Sequence, residues 1–107
     1  MAKRLRFKAL FWDSPEGREV DGYETVAPGL GVFRREDCRW PVVHLASGLY
    51  LCSLERRNDA LLVADLCGKY ADWTLSDSDL IIDDTLYTKV NRVYRGVLFG
   101  VPREELE

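Results

Sequence analysis

His44 is the only histidine in the sequence, so any general base, nucleophile partner or metal-binding imidazole has to be this residue. A nearby thiol, Cys52, suggests nucleophilic catalysis by a Cys–His pair. Segments 40–46 and 49–54 are rich in β-formers and flank Ser47-Gly48, which reads as a two-residue hairpin turn. That register sets Val43 opposite Cys52 and His44 opposite Leu51. Val43, Leu45, Tyr50, Cys52 and Leu54 then share the more apolar face, and His44 falls on the other with Val42 and Leu51. The pair is therefore too far apart to react, and only Cys38 or Ser47 is left to approach the imidazole. No catalytic residue is expected, and the chain reads as non-enzymatic. An enzyme would need a pocket with His44 at hydrogen-bond distance from a hydroxyl, thiol or carboxylate.

Carboxylates are the second group that could do chemistry. Asp72, Asp77, Asp79, Asp83 and Asp84 lie in a stretch free of Lys and Arg, and hard cations favour clustered carboxylate oxygens. The spacing lacks the central glycine and terminal glutamate of a calcium loop, so no metal is expected. Capping of a following helix by Ser76, Asp77, Ser78 or Asp79 is the simpler use. Cys38, Cys52 and Cys67 form no CxxC pair and read as reduced thiols. Gly29 and Gly31 lack the third glycine and βαβ setting of a dinucleotide site, and no cofactor is expected.

Basic residues form two groups: Arg4, Arg6 and Lys8 near the start, and Arg34, Arg35 and Arg39 beside Trp40, with Arg56 and Arg57 farther along. Cations interleaved with aromatics suit phosphate attraction and base stacking, which makes a small nucleic-acid-binding accessory protein the alternative reading. The overall balance is acidic, with net charge -3 and pI near 5.2, which disfavours a dedicated nucleic-acid binder. A second acidic group, Glu16, Glu19 and Asp21, joins the aspartates of 72–84 as a candidate partner-binding surface.

The elements that must position these residues follow from periodicity. Residues 4–12 alternate, with Leu5, Phe7, Ala9 and Phe11 on one face, as in a half-buried strand. Residues 13–29 hold two prolines, three glycines and five acidic residues and read as a long loop, with a short extended piece at 23–26. Residues 30–34 are extended. Asn58 can cap a helix to about Tyr70, with Ala60, Leu61, Val63, Ala64 and Cys67 at helical spacing. Leu86, Val90, Val93 and Val97 are spaced for a second helix, and a final strand at 95–101 is the competing reading because Gly96 and Gly100 weaken a helix there. Pro102 and the acidic tail 102–107 end the fold. A single domain, 1–107, is expected: α+β, a small curved antiparallel sheet of three to five strands with one or two helices packed on one face. Phe7, Phe11, Val43, Leu45, Tyr50, Leu61, Ala64 and Trp73 are core candidates.

Trp40-Pro41-Val42-Val43-His44-Leu45-Ala46-Ser47-Gly48, then a helix opening Asn58-Asp59-Ala60 and a closing Asp72-Trp73, resembles a module of small uncharacterised proteins of phages, plasmids and integrative elements. About a third of the chain carries the likeness. Small proteins of such elements resemble, as a class, factors that disable host defence, including inhibitors of CRISPR nucleases. The resemblance implies a binding protein of a bacterial mobile element, partnered by a host protein such as a nuclease effector and acting by occlusion or nucleic-acid mimicry. No apolar run approaches the ~18 residues of a membrane span and no cleavage site follows MAKRLRFKAL, so the bacterial cytoplasm is the expected location.

Overall fold

The computed structural model describes residues 3–76, 78–80 and 82–107. Five antiparallel strands form one sheet in chain order: β1 (Arg4–Phe11), β2 (Ser14–Glu24), β3 (Leu30–Phe33), β4 (Trp40–His44) and β5 (Tyr50–Leu54). Helix α1 (Arg57–Cys67), a 3-10 turn (Gly68–Tyr70), helix α2 (Asp84–Leu98) and the single turn α3 (Arg103–Leu106) follow. The chain is thus an α+β protein. Among the described residues, no helix is long and apolar enough to cross a membrane.

Both faces of the sheet are buried. Leu30, Val32, Val42 and Leu54 point towards the helices and meet Ala60, Val63 and Ala64 of α1 and Val93 of α2. Phe7, Ala9, Phe33 and Val43 build a separate cluster on the opposite face, flanked by Leu5, Phe11, Leu45 and Tyr50. Phe33 is the hub of that cluster, meeting the rings of Phe7, Phe11 and Tyr50 edge-on at 6.0–6.1 Å. The sheet curls around this aromatic cluster until the Leu10 N–H reaches the Gly48 carbonyl at 3.0 Å, joining β1 to the β4–β5 loop. The core candidates therefore divide between two clusters.

Much of the expected loop 13–29 is the strand β2, so Glu16, Glu19 and Asp21 are strand residues. Arg6 lies opposite Asp21 and Lys8 opposite Glu19, and Arg6 also bonds Glu19 at 3.0 Å. Polar side chains occupy most of β2, so the strand offers no apolar alternation, and its pairing to β1 defines it.

The β4–β5 connection also departs from a two-residue turn. His44 N–H bonds the Leu49 carbonyl, Val43 lies opposite Tyr50, and Val42 lies opposite Cys52, with a register shift between the two pairs. This irregularity inserts Leu51 as an extra residue and moves Cys52 and Leu54 to the helix-covered face. His44 and Cys52 are consequently on the same face, not opposite ones.

Arg56, not Asn58, precedes α1, and no side chain caps it. A cap is worth about 1 kcal/mol, whereas burying each large apolar side chain contributes roughly 1.5–3 kcal/mol, so burial of Val63 and Leu66 holds this helix. In α2, Asp83 is the N-cap, accepting the Leu86 N–H at 2.8 Å, and the expected caps at 76–79 are not used. The helix continues to Leu98 in place of a final strand. Gly96 is tolerated there because it seats Leu106; a Cβ at that position would lie 2.4 Å from Leu106 Cδ2. The acidic tail is part of the fold: Arg103 bonds Asp65 and Glu107, and Leu106 is buried. Leu106→Ala is expected to cost about 2–5 kcal/mol, read as a lowered urea midpoint at unchanged slope.

Candidate partner-binding site

Residues 71–83 link the 3-10 turn to α2 and carry most of the expected acidic site. Trp73 fixes this segment. Its ring is buried, and its indole N–H donates to the Cys67 carbonyl at the end of α1 at 2.9 Å. The Trp73 backbone lies against Gly29, where φ is +92° and a Cβ would fall 2.3 Å from the Trp73 oxygen. Only glycine meets both demands.

His44 supplies the second anchor. It is 4% exposed, meets Trp73 edge-on at 6.3 Å, and uses both ring nitrogens. Nε2 lies 2.8 Å from the Leu75 carbonyl and Nδ1 lies 2.7 Å from Ser47 Oγ. A carbonyl can only accept, so Nε2 carries the hydrogen; in the neutral ring Nδ1 then accepts from the Ser47 hydroxyl. Ser47 Oγ in turn accepts the Leu49 N–H at 3.2 Å.

This arrangement places a hydroxyl on the imidazole beside a cavity, the geometry an enzyme would need. The backbone around it points the other way. Ser47 and Gly48 N–H both donate to the His44 carbonyl, at 3.2 and 2.7 Å, and the Leu49 N–H is taken by Ser47. The Ser47, Gly48 and Leu49 amides of this turn are therefore already engaged within the protein. The His44–Ser47 pair is a staple between the β4–β5 loop and the segment at Leu75. Cys52 shares the face of His44, yet both ring nitrogens are engaged elsewhere.

The cavity beside the staple has a volume of about 300 Å³ and is lined by Leu51, Trp73, Leu80, Ile82, Leu86 and Tyr87, among others. Its surroundings are unusually apolar for surface: Leu49, Leu75, Ile82 and Tyr87 are all exposed, Ile82 at 63% and Tyr87 at 67%. Asp79, Asp83 and Asp84 are exposed around it, placed by their chain neighbours Leu80, Ile82 and Leu86. Asp79 accepts from Ser76 Oγ at 3.0 Å and Asp83 caps α2. Among the described residues none of the three forms an ion pair; Asp77 lies outside the described residues. No group of three His, Cys, Asp or Glu side chains among the described residues is arranged to hold a metal ion.

The other sequence candidates are separated from this site or tied up. Glu19 is paired with Arg6 on the β1–β2 hairpin, where Arg4 and Lys8 share a face with Tyr23 and Glu19. Arg35 holds Asp37 through two bonds of 2.9 and 2.8 Å, and that pairing lowers the Asp37 carboxyl to about 2. Arg34 bonds Cys38 at 3.2 Å, and Trp40 stacks at a tilt on Tyr23 with its side chain packed on the main core. Of the basic residues, Arg4 lies opposite Tyr23 and Arg57 lies over the Tyr23 ring at 5.1 Å, beside Trp40, whereas Arg6 and Arg35 are paired with carboxylates. One exposed aromatic has no sequence signal beyond its type: Trp12, at the β1–β2 turn, is 96% exposed.

Comparison with family models, curated proteins and solved structures finds no match to the chain.

Ser47→Ala leaves the buried Nδ1 of His44 without its donor and is expected to cost about 1–3 kcal/mol of folding stability, read by urea unfolding. The thiols provide an independent check of burial. Desolvation pushes Cys52 and Cys67 up to about 12, whereas Cys38 is exposed. Ellman's reagent at neutral pH is expected to label one thiol in the native protein and all three after denaturation; rapid loss of all three would contradict the packing of β5 on α1.

Proposed function

We propose that the protein is a non-enzymatic binding protein that occludes a basic, nucleic-acid-handling surface of another protein. The observation that supports this is the apolar cavity mouth at Leu49, Ile82 and Tyr87, with Asp79, Asp83 and Asp84 exposed beside its lining residues in the chain, carboxylates without ion-pair partners among the described residues. A patch of this composition fits the anatomy of a docking site: aromatic and aliphatic anchors supply the desolvated centre, and charge at the rim speeds encounter and selects the partner. Carboxylates facing the partner stand in for phosphates. The resemblance to small mobile-element proteins makes a bacterial host factor, such as a CRISPR nuclease, the partner of choice, with the complex forming in the host cytoplasm. The nucleic-acid-binding alternative draws less support, because Arg6 and Arg35 are already paired with carboxylates.

A pull-down of the tagged protein from bacterial lysate, with and without nuclease, tests the reading. One host protein is expected to be retained in both halves. Asp79→Lys combined with Asp84→Lys, which leaves the Asp83 cap intact, is expected to lower its recovery at least tenfold while the circular dichroism spectrum is unchanged. Unchanged recovery overturns the role of the carboxylates, and enrichment that vanishes with nuclease transfers the function to the basic groups.

A further inference from the structure

Helix α2 carries more apolar surface than its own core uses. Leu86, Val93 and Val97 face inward and are buried. A second stripe, Tyr87, Asn91, Tyr94 and Leu98, recurs at helical spacing on a neighbouring face, with Val90 half-buried between the two. Tyr87 is 67% and Leu98 46% exposed, and Phe99 beyond the helix end is 72% exposed. Among the described residues, half of the exposed large hydrophobic residues (Ile82, Tyr87, Leu98 and Phe99, against Trp12, Val26, Leu49 and Leu75) thus lie along residues 82–99. Between this stripe and β5 runs a groove of about 210 Å³ lined by Leu51, Cys52, Tyr87, Val90, Asn91 and Tyr94.

Charge along the stripe is graded. Asp83 and Asp84 stand at the amino end, and Arg92 and Arg95 towards the carboxyl end. At 3.6 residues per turn, Asp84 and Arg95 project from the same flank of the stripe. Neither enters an ion pair among the described residues. When two helices pack antiparallel about a twofold axis, each flank meets the same flank of the other copy, so Asp84 of one chain comes opposite Arg95 of the other, twice. A parallel twofold arrangement would place the two Asp84–Arg95 flanks on opposite sides and leave these charges unpaired. Side-by-side antiparallel helix dipoles attract, which favours the antiparallel arrangement.

We propose that a second copy of this chain covers the α2 stripe, forming a twofold dimer through antiparallel α2 helices with reciprocal Asp84–Arg95 pairs. The surface is self-complementary, as an isologous interface must be. Tyr87 and Tyr94 are its central apolar anchors, and the groove beside β5 is the hole into which the facing tyrosine packs. Asp84 and Tyr87 belong to both surfaces, so a second copy and another partner exclude one another there, whereas Asp79 serves the acidic rim alone and a charge reversal at Asp79 separates the two readings.

Sedimentation equilibrium or light scattering on the purified protein over about a hundredfold concentration range reads the result directly. The mass is expected to rise from 12.3 kDa towards twice that value. Tyr87→Lys is expected to hold it at one chain. Asp84→Arg and Arg95→Glu are each expected to weaken association at least tenfold, and the double swap to restore it. The swap series decides the matter even where Tyr87→Lys fails to fold. A single-chain mass at every concentration overturns the proposal, as does a dimer whose affinity neither reversal changes or whose double variant is no tighter than the single ones.

Discussion

The described residues between the 3-10 turn and α2 form no strand or helix, and the position of this segment depends on the contact between Trp73 and His44. Trp73 closes the end of α1 by donating to the Cys67 carbonyl, one of the groups a helix terminus leaves without an intrahelical partner. Its ring then meets His44, whose Nε2 reaches forward to Leu75 and whose Nδ1 reaches back to Ser47. A strand, a turn, a helix end and an irregular segment are tied through one buried, fully hydrogen-bonded pair of rings. Burial makes this network consequential in both directions, because the same low dielectric that strengthens satisfied hydrogen bonds penalises a missing one. The cavity lies where it does because this junction anchors the segment that carries Leu80 and Ile82.

The curled sheet holds the junction from the other side. The Phe7–Phe33 cluster draws β1 around until Leu10 bonds Gly48, so the loop that carries Ser47 is pinned by β1 on one flank and by His44 on the other. The open edge at β5 is meanwhile blunted. The strand is five residues long, its register shifts at Leu51, and Arg39 donates to both the Ser53 carbonyl and hydroxyl, at 2.9 and 3.1 Å. Short, irregular, charge-covered edges are how sheet proteins avoid strand addition. The backbone of this edge is therefore a poor template for strand addition.

How much of this was legible in the sequence can be judged residue by residue. The strand at 4–11 and the helix at 84–98 announced themselves because Phe7 and Ala9, and Leu86, Val93 and Val97, repeat at the period of the element that buries them. β2 did not, because its many polar residues blur any alternation and its existence rests on pairing with β1. The face of Cys52 was misassigned by a single inserted residue, since side-chain direction alternates and any irregularity inverts everything beyond it. Several Ser and Asp residues were competent to cap α2; the choice of Asp83 depends on where the chain emerges from the Trp73 anchor. For His44, the sequence left Cys38 and Ser47 open as partners without choosing between them, and the Leu75 partner is a backbone carbonyl, which no residue type advertises.

Charge distribution supports the proposal of a binding surface. Exposed ion pairs contribute only about 0–1 kcal/mol, so the cross-strand pairing on β1 and β2 does little for stability, yet it cancels the local field of Arg6 and Glu19. Arg35 and Asp37 cancel one another in the same way. Asp79, Asp83 and Asp84 have no such neighbours among the described residues, although Lys89, Arg92 and Arg95 follow on the same helix. A field that is neutralised elsewhere and left standing beside exposed Ile82 and Tyr87 acts mainly on whatever approaches from outside. Within the fold, only the Asp83 cap and the Asp79 turn bond need a carboxylate at these positions, and Asp84 makes no side-chain hydrogen bond among the described residues.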